Sequence, residues 1–192
     1  MRNRVVLLAV TVVTLAAPAA ARADVYVGPG IGVAFGNPSA RGLADFVLDA
    51  CWLYQEPIGL EMDTTYAPSF FSNQGPYGAN SVTTVMWNVM VAARETGPRL
   101  PRGLHRGRTT RPYISGGLGL IHEATNAPAI SRNDLGANLG VGVLATTASQ
   151  LGLRADLRYY RDLVGGSEGN TTSIDFGSFH FWRASITVLF RF

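Results

Sequence analysis

Bulky apolar residues recur at every second position through most of this chain, and the alternate positions are small or charged. In VYVGPGIGVAFG, Val25, Val27, Pro29, Ile31, Val33 and Phe35 share one parity, against Tyr26, Gly28, Gly30, Gly32, Ala34 and Gly36. The segment LADFVLDACWLYQ sets Ala44, Phe46, Leu48, Ala50, Trp52 and Tyr54 against Asp45, Val47, Asp49, Cys51 and Leu53. Beyond a turn at Glu56 and Pro57, Ile58, Leu60, Met62, Thr64, Tyr66 and Phe70 alternate with Gly59, Glu61, Asp63, Thr65, Ala67 and Ser69. Further alternating segments lie around 84–94, 113–120, 135–143, 153–160 and 182–192. Period two is the signature of a strand with two unlike faces, so the pattern predicts about eight strands. No sustained helical period competes with it. Connections rich in turn residues are expected at 37–41, 72–80, 123–134 and 164–175 on one rim. On the other rim, short turns near 56 and 146–150 accompany a long basic stretch, 95–111.

The first residues do not share this pattern. Arg2 and Arg4 precede an apolar run over 5–17, and Ala21 and Ala23 have the spacing of a secretory cleavage site. The run is shorter than the roughly 20 residues of a membrane-crossing helix, so a signal peptide over 1–23, cleaved after Ala23, and a single domain over 24–192 are expected. Loss of Arg2, Arg4 and Arg22 from the 16 basic residues would balance the 13 acidic ones. Nothing in that balance calls for nucleic acid. Lys is absent throughout, and Cys51 stands alone, which excludes an intramolecular disulfide framework.

An exported protein of eight alternating strands is either a soluble barrel with an apolar interior or a membrane barrel with the faces reversed. The polar parity is heavy in Gly, Ala, Ser and Thr, which suits a narrow lumen better than a wetted exterior. Aromatic residues of the apolar parity gather at strand ends: Trp52, Tyr54, Phe190 and Phe192 at one rim, and Phe35, Phe46, Tyr66, Phe70, Tyr159 and Trp182 at the other. Two such girdles mark a transmembrane barrel; Trp87 falls between them. The terminal SITVLFRF is consistent with a last strand that pairs with the first, since a closed barrel has no edge. The fold expected is an all-β, closed, antiparallel, up-and-down transmembrane barrel.

SITVLFRF also resembles the C-terminal assembly signal of outer-membrane β-barrel proteins, through Ser185, Phe190 and Phe192, with Thr187 where Gly is usual. Over the mature chain, MDTTYAPSFF, RPYISGGLGLI, GLRADLRYYRDL and FWRASITVLFRF resemble stretches of the small outer-membrane β-barrel domain family, the OmpA-like and opacity-like barrels. The resemblance implies a bacterial outer-membrane location, contact with outer-membrane lipid and delivery by the barrel-assembly machinery. It fixes no activity, because members range from structural anchors to adhesins and enzymes. An extracellular partner held by the outer loops is one expectation, and a monomer another.

The inward parity carries Asp45, Asp49, Glu61, Asp63 and Asp156 against Arg94, Arg154, Arg158, Arg183 and Arg191. An interior of about eight strands is only wide enough for side chains, and an unpaired buried charge costs several kcal/mol. These residues are therefore expected to form an ion-pair network that plugs the lumen, against the alternative of a narrow channel. The glycines of GPGIG and SGGLGL lack the P-loop lysine and the following helix, and no catalytic, cofactor-binding or metal-binding set is assigned. The competing enzymatic reading is a rim-located lipid-modifying hydrolase built on His122 and His180 with Glu123, Asp134, Asp162 and Asp175. Arg99, Arg102, His105, Arg106, Arg108 and Arg111 read as a solvated periplasmic turn, and Cys51 as a small inward filler.

Overall fold

The computed structural model describes residues 24–36, 44–53, 57–71, 80–93, 109–126, 129–147, 150–163 and 179–192. Eight strands appear in chain order: β1 Asp24–Phe35, β2 Ala44–Leu53, β3 Ile58–Pro68, β4 Asn80–Ala92, β5 Thr109–Asn126, β6 Ala129–Thr146, β7 Leu151–Asp162 and β8 His180–Arg191. Each pairs antiparallel with its neighbour in sequence, and β1 pairs with β8, closing the barrel. The seam runs from Tyr26 opposite Arg191 to Phe35 opposite Trp182. Closure leaves no row of free amides and carbonyls facing outward, the condition for a sheet in hydrocarbon.

The alternation sorts into outside and inside as the sequence pattern predicts. Ile31, Phe46, Leu60, Leu118, Leu139 and Ile186 are each more than half exposed on the outer wall. Charged and small residues of the other parity are buried within. An apolar exterior this continuous would drive aggregation in water, but it matches acyl chains. The shortest strand has 10 residues and the longest 18, against the roughly 9–11 that a tilted strand needs to cross a bilayer.

Several connections depart from the sequence expectation. The described residues of the stretch 123–134 are strand rather than loop: β5 and β6 stay paired up to Asn126 opposite Ala129. Along this hairpin the outward residues change from Leu118 and Leu120 to His122 and Ala124, and from Leu135 to Asn133, so its end projects beyond the apolar band. Turn-forming residues such as Asn126 and Asn133 point to a loop, but cross-strand pairing overrides local preference. On the other rim, Thr109–Asn126 already includes part of the basic stretch, and Arg111 is buried inside the barrel rather than solvated. Arg99, Arg102, His105, Arg106 and Arg108 lie outside the described residues, as do the expected signal peptide, Tyr54, Arg94 and Asp175. Phe70 is also reassigned, from the outer girdle to the interior, where it is 2% exposed. Ser69 adopts φ 60° just after β3, and that left-handed residue breaks the alternation and turns Phe70 inward.

Inward glycines make closure of so small a barrel sterically feasible. A Cβ on Gly28 would stand 1.7 Å from the Val188 carbonyl oxygen of β8, and one on Gly119 would stand 2.0 Å from that of Val85. Both obstacles are backbone and cannot rotate away. Gly116, on the outer wall, has nothing nearer than 3.4 Å. Gly28→Val is therefore expected to destabilise the barrel by at least about 1–3 kcal/mol, whereas Gly116→Val stays near wild type. Urea unfolding in detergent, read by the gel-mobility difference between boiled and unboiled samples, checks the pair.

Candidate functional site: the filled lumen and its rims

The interior is layered along the barrel axis. Nearest the chain termini, Tyr26, Cys51, Leu53, Met90, Ala92, Tyr113, Leu144 and Leu189 form one buried apolar cluster. Toward the opposite rim, Ala34, Ala67, Phe70, Phe71, Val82, Met86, Ile121, Tyr160, Phe179 and Phe181 form a second. Phe70 packs edge-on against Phe71 and Phe181, with ring centroids 5.1 Å away in each case. Tyr160 stacks on Phe181 at 4.8 Å and 6°.

A charged layer separates the two clusters. The β7 alternation puts Arg154, Asp156 and Arg158 side by side facing inward, with relative exposures of 2%, 7% and 0%. Arg158 reaches Glu61 on β3 at 2.7 Å and Asp156 at 3.0 Å, and donates to Ser115 Oγ at 3.1 Å. Arg154 spans Glu61 at 3.0 Å and Asp156 at 3.1 Å, with Asp49 at 3.7 Å. Arg183, on β8, holds both oxygens of Asp63, at 3.0 and 2.5 Å. Such two-point guanidinium contacts are the strong, directional form of ion pair.

Neutral groups satisfy further valences. Tyr160 donates to Asp63 at 2.9 Å and Thr187 to Asp49 at 2.9 Å. Tyr113 accepts from Arg154 Nε at 2.6 Å and donates to Asp156. Asn138 donates to Asn88, which donates to Glu61. The Arg154 and Arg183 guanidiniums also lie over the Tyr113 and Tyr160 rings, 4.9 and 5.1 Å from the centroids. Asp49, Glu61 and Asp63 bring carboxylate oxygens within 4.8 Å of one another. Arg154, Arg158 and Arg183 surround those same oxygens, so the donor set suits guanidinium better than a cation.

Not every residue assigned from sequence joins this layer. Asp45 is buried, 2% exposed, but makes none of the close ion pairs above. Arg191 falls outside it: exposed at the end of β8, it pairs with Asp24 at 2.5 Å. At that level the strand has left the barrel interior, and alternation alone does not mark where the lumen ends. The aromatic interior cluster was missed as well. Its signal was the adjacent pair Phe70 and Phe71 and the pair Phe179 and Phe181, on the same parity as Arg183.

Among the described residues, the histidine and acid set does not assemble into one site. His122 and His180 are on the outer parity, His122 with Nδ1 2.7 Å from Asn133 Oδ1. Glu123, Asp134 and Asp162 are buried on the inner parity, where Asp134 pairs with Arg132 at 2.6 Å. β6 and β7 separate the two histidine-bearing strands. Of the C-terminal residues, Ser185 is inward and buried, while Phe190 and Phe192 are 47% and 81% exposed.

The same architecture is found in solved structures. A major outer membrane protein from Thermus thermophilus superposes with a TM-score of 0.56 at 15% identity, covering 88% of this chain and 99% of that one. Neisserial surface protein A (NspA) gives 0.54 at 14% identity, covering 87% and 95%. The N-terminal β-barrel domain of Pseudomonas aeruginosa OprF gives 0.51 at 15% identity, covering 88% and 97%. At these identities the likeness is one of fold. None of the curated proteins matches in sequence. The sequence profile of the outer membrane protein beta-barrel domain matches residues 5–183, and with the closed eight-stranded, apolar-walled architecture it establishes the chain as a member of that bacterial outer-membrane family.

Proposed function

We propose that this protein is a non-conducting, non-enzymatic barrel that serves as a structural element of the outer membrane and presents its projecting β5–β6 hairpin to partners outside the cell. The observation that carries the reading is the packing of the lumen: among the described residues, an ion-paired layer lies between two apolar clusters. A hydrated path needs polar walls from one mouth to the other, and both apolar clusters interrupt it. The hydrolase reading lacks support because the histidines and the described carboxylates, Glu123, Asp134 and Asp162, occupy opposite faces of the wall. The connections β1–β2, β3–β4 and β7–β8 share the rim of the β5–β6 hairpin and are longer than β2–β3 and β6–β7 on the other, where only β4–β5 is long; in the orientation usual for such barrels, short turns periplasmic, that rim is outside.

The chemistry available to the barrel is then positional rather than reactive. Arg154 and Arg158 on β7 are tied to Glu61 on β3 across the interior, so opposite walls are braced. Ser185, Phe190 and Phe192 are proposed to be read by the assembly machinery, with the two exposed aromatics as its contacts.

Three outcomes test this reading. In planar bilayers the folded protein is expected to show no unitary conductance, and reproducible steps would replace the plug with a channel. Arg158→Met, which leaves Glu61 only Arg154 as a guanidinium partner, is expected to lose up to about 3–5 kcal/mol, and pairing it with Glu61→Gln should recover part of that in urea unfolding; additive losses would mean the two side chains are not coupled. Removal of residues 124–131 is expected to leave the heat-dependent gel shift intact while lowering adherence of cells displaying the protein. Unchanged adherence would confine the role to the membrane.

A further inference from the structure

The outer wall of β7 and β8 carries an arrangement that a plain lipid-facing surface does not require. Read down this pair from the extracellular rim, the outward residues meet in three tiers. Arg161 lies opposite His180, Tyr159 opposite Trp182, and Leu157 opposite Ala184; below them Ala155 lies opposite Ile186. The first tier is basic, the second aromatic, and the third opens into a groove.

The groove has a volume of about 440 Å³ and is lined chiefly by Ile31, Val33, Ala155, Ala184 and Ile186. It exists because alanines interrupt a wall of larger residues where β8 meets β1 and β7. The aromatic tier above it is packed in place. The Tyr159 and Trp182 rings are 5.1 Å apart, and Trp182 lies over Gly36, where a Cβ would come within 2.8 Å of the indole. Tyr159 also contacts the His180 ring at 6.1 Å. Arg161 is exposed, with no ion pair to any described residue, and its neighbours on the outer face are Ala137, Tyr159 and His180. Asp162, the next residue along the strand, is buried on its opposite face.

We propose that this face binds one phosphorylated lipid of the outer leaflet, with an acyl chain in the groove, the acyl–headgroup boundary against Tyr159 and Trp182, and the phosphate on Arg161 and His180. The proposal goes beyond the structural role above and stands apart from whether the lumen conducts. Charge complementarity selects the occupant. An arginine with no carboxylate partner among the described residues, set at headgroup height over an aromatic pair, offers a fork of donors that fits a phosphate, and Trp and Tyr favour that interfacial depth. The groove below accommodates hydrocarbon and has almost no polar lining. A second copy of the barrel would use the groove but would not need the basic tier.

Native mass spectrometry of the detergent-folded protein, titrated with diphosphoryl lipid A and with its dephosphorylated form, tests the assignment. Wild type is expected to retain one diphosphoryl lipid and to bind the dephosphorylated form more weakly. Arg161→Ala should weaken the diphosphoryl complex about fivefold, from the attraction one basic residue contributes at an anionic surface, and should not alter binding of the dephosphorylated lipid. Ala184→Leu, which fills the groove, should weaken both. Each variant is first shown to keep the heat-dependent gel shift, and Ala184→Val is the smaller replacement should leucine prevent folding. Equal binding of both lipids by wild type and Arg161→Ala would overturn the proposal. So would a dimer that Ala184→Leu dissociates and Arg161→Ala leaves intact, which would make the groove a contact between copies.

Discussion

A backbone amide within hydrocarbon has no water to bond, so a sheet there must pair every strand and close on itself. With eight strands, closure leaves an interior about as wide as the side chains that point into it. Most of what is distinctive in this chain answers to that single constraint. Glycines at inward positions of β1 and β5 let neighbouring backbones approach where a Cβ would strike a carbonyl. The remaining inward positions must fill the space, and where they are charged they must find partners across it.

That requirement explains why the lumen is layered rather than uniform. Exchanging water for protein around a guanidinium or carboxylate is costly unless each charge is met by its opposite and by further hydrogen bonds. Concentrating Arg154, Arg158, Glu61 and Asp156 in one layer lets each meet more than one opposite charge, with the Arg183–Asp63 pair beside them. Tyr113, Tyr160, Asn88 and Thr187 supply hydrogen bonds that the charges leave over. Apolar clusters on both sides shield this layer from bulk water. Shielding strengthens the pairs and also raises the cost of losing one partner, so the layer specifies how opposite walls face one another more than it adds net stability.

How much of this was legible in the sequence depended on the range of the interaction involved. Alternation is local and survives into the fold, so the strands, their faces and the inward position of Arg154, Asp156 and Arg158 were all readable. The partners were not, because Asp63 and Arg183 are 120 residues apart and meet only through closure. Phe70 was misplaced because one left-handed residue, Ser69, shifts the parity after β3. The β5–β6 hairpin was mistaken for a loop because its turn-forming residues are polar and small, while its strand character comes from pairing. Arg191 illustrates the remaining gap: parity tells which way a residue points, but not whether there is still barrel around it.

The two faces of the wall also carry different amounts of functional information. Inside, most of the charged groups are met by other side chains, so little remains to recognise a ligand. Outside, the apolar wall needs only to be apolar, and a departure from that minimum is informative. Arg161 is such a departure: solubility does not require a guanidinium at that point, and among the described residues no acid on its own face pairs with it. Its position above an aromatic pair and a groove places charge, interface and hydrocarbon contacts in the order in which a membrane lipid presents them. A closed and filled barrel leaves its outer wall and its projecting hairpin as the surfaces through which it can act, and of these the wall is in permanent contact with its partner.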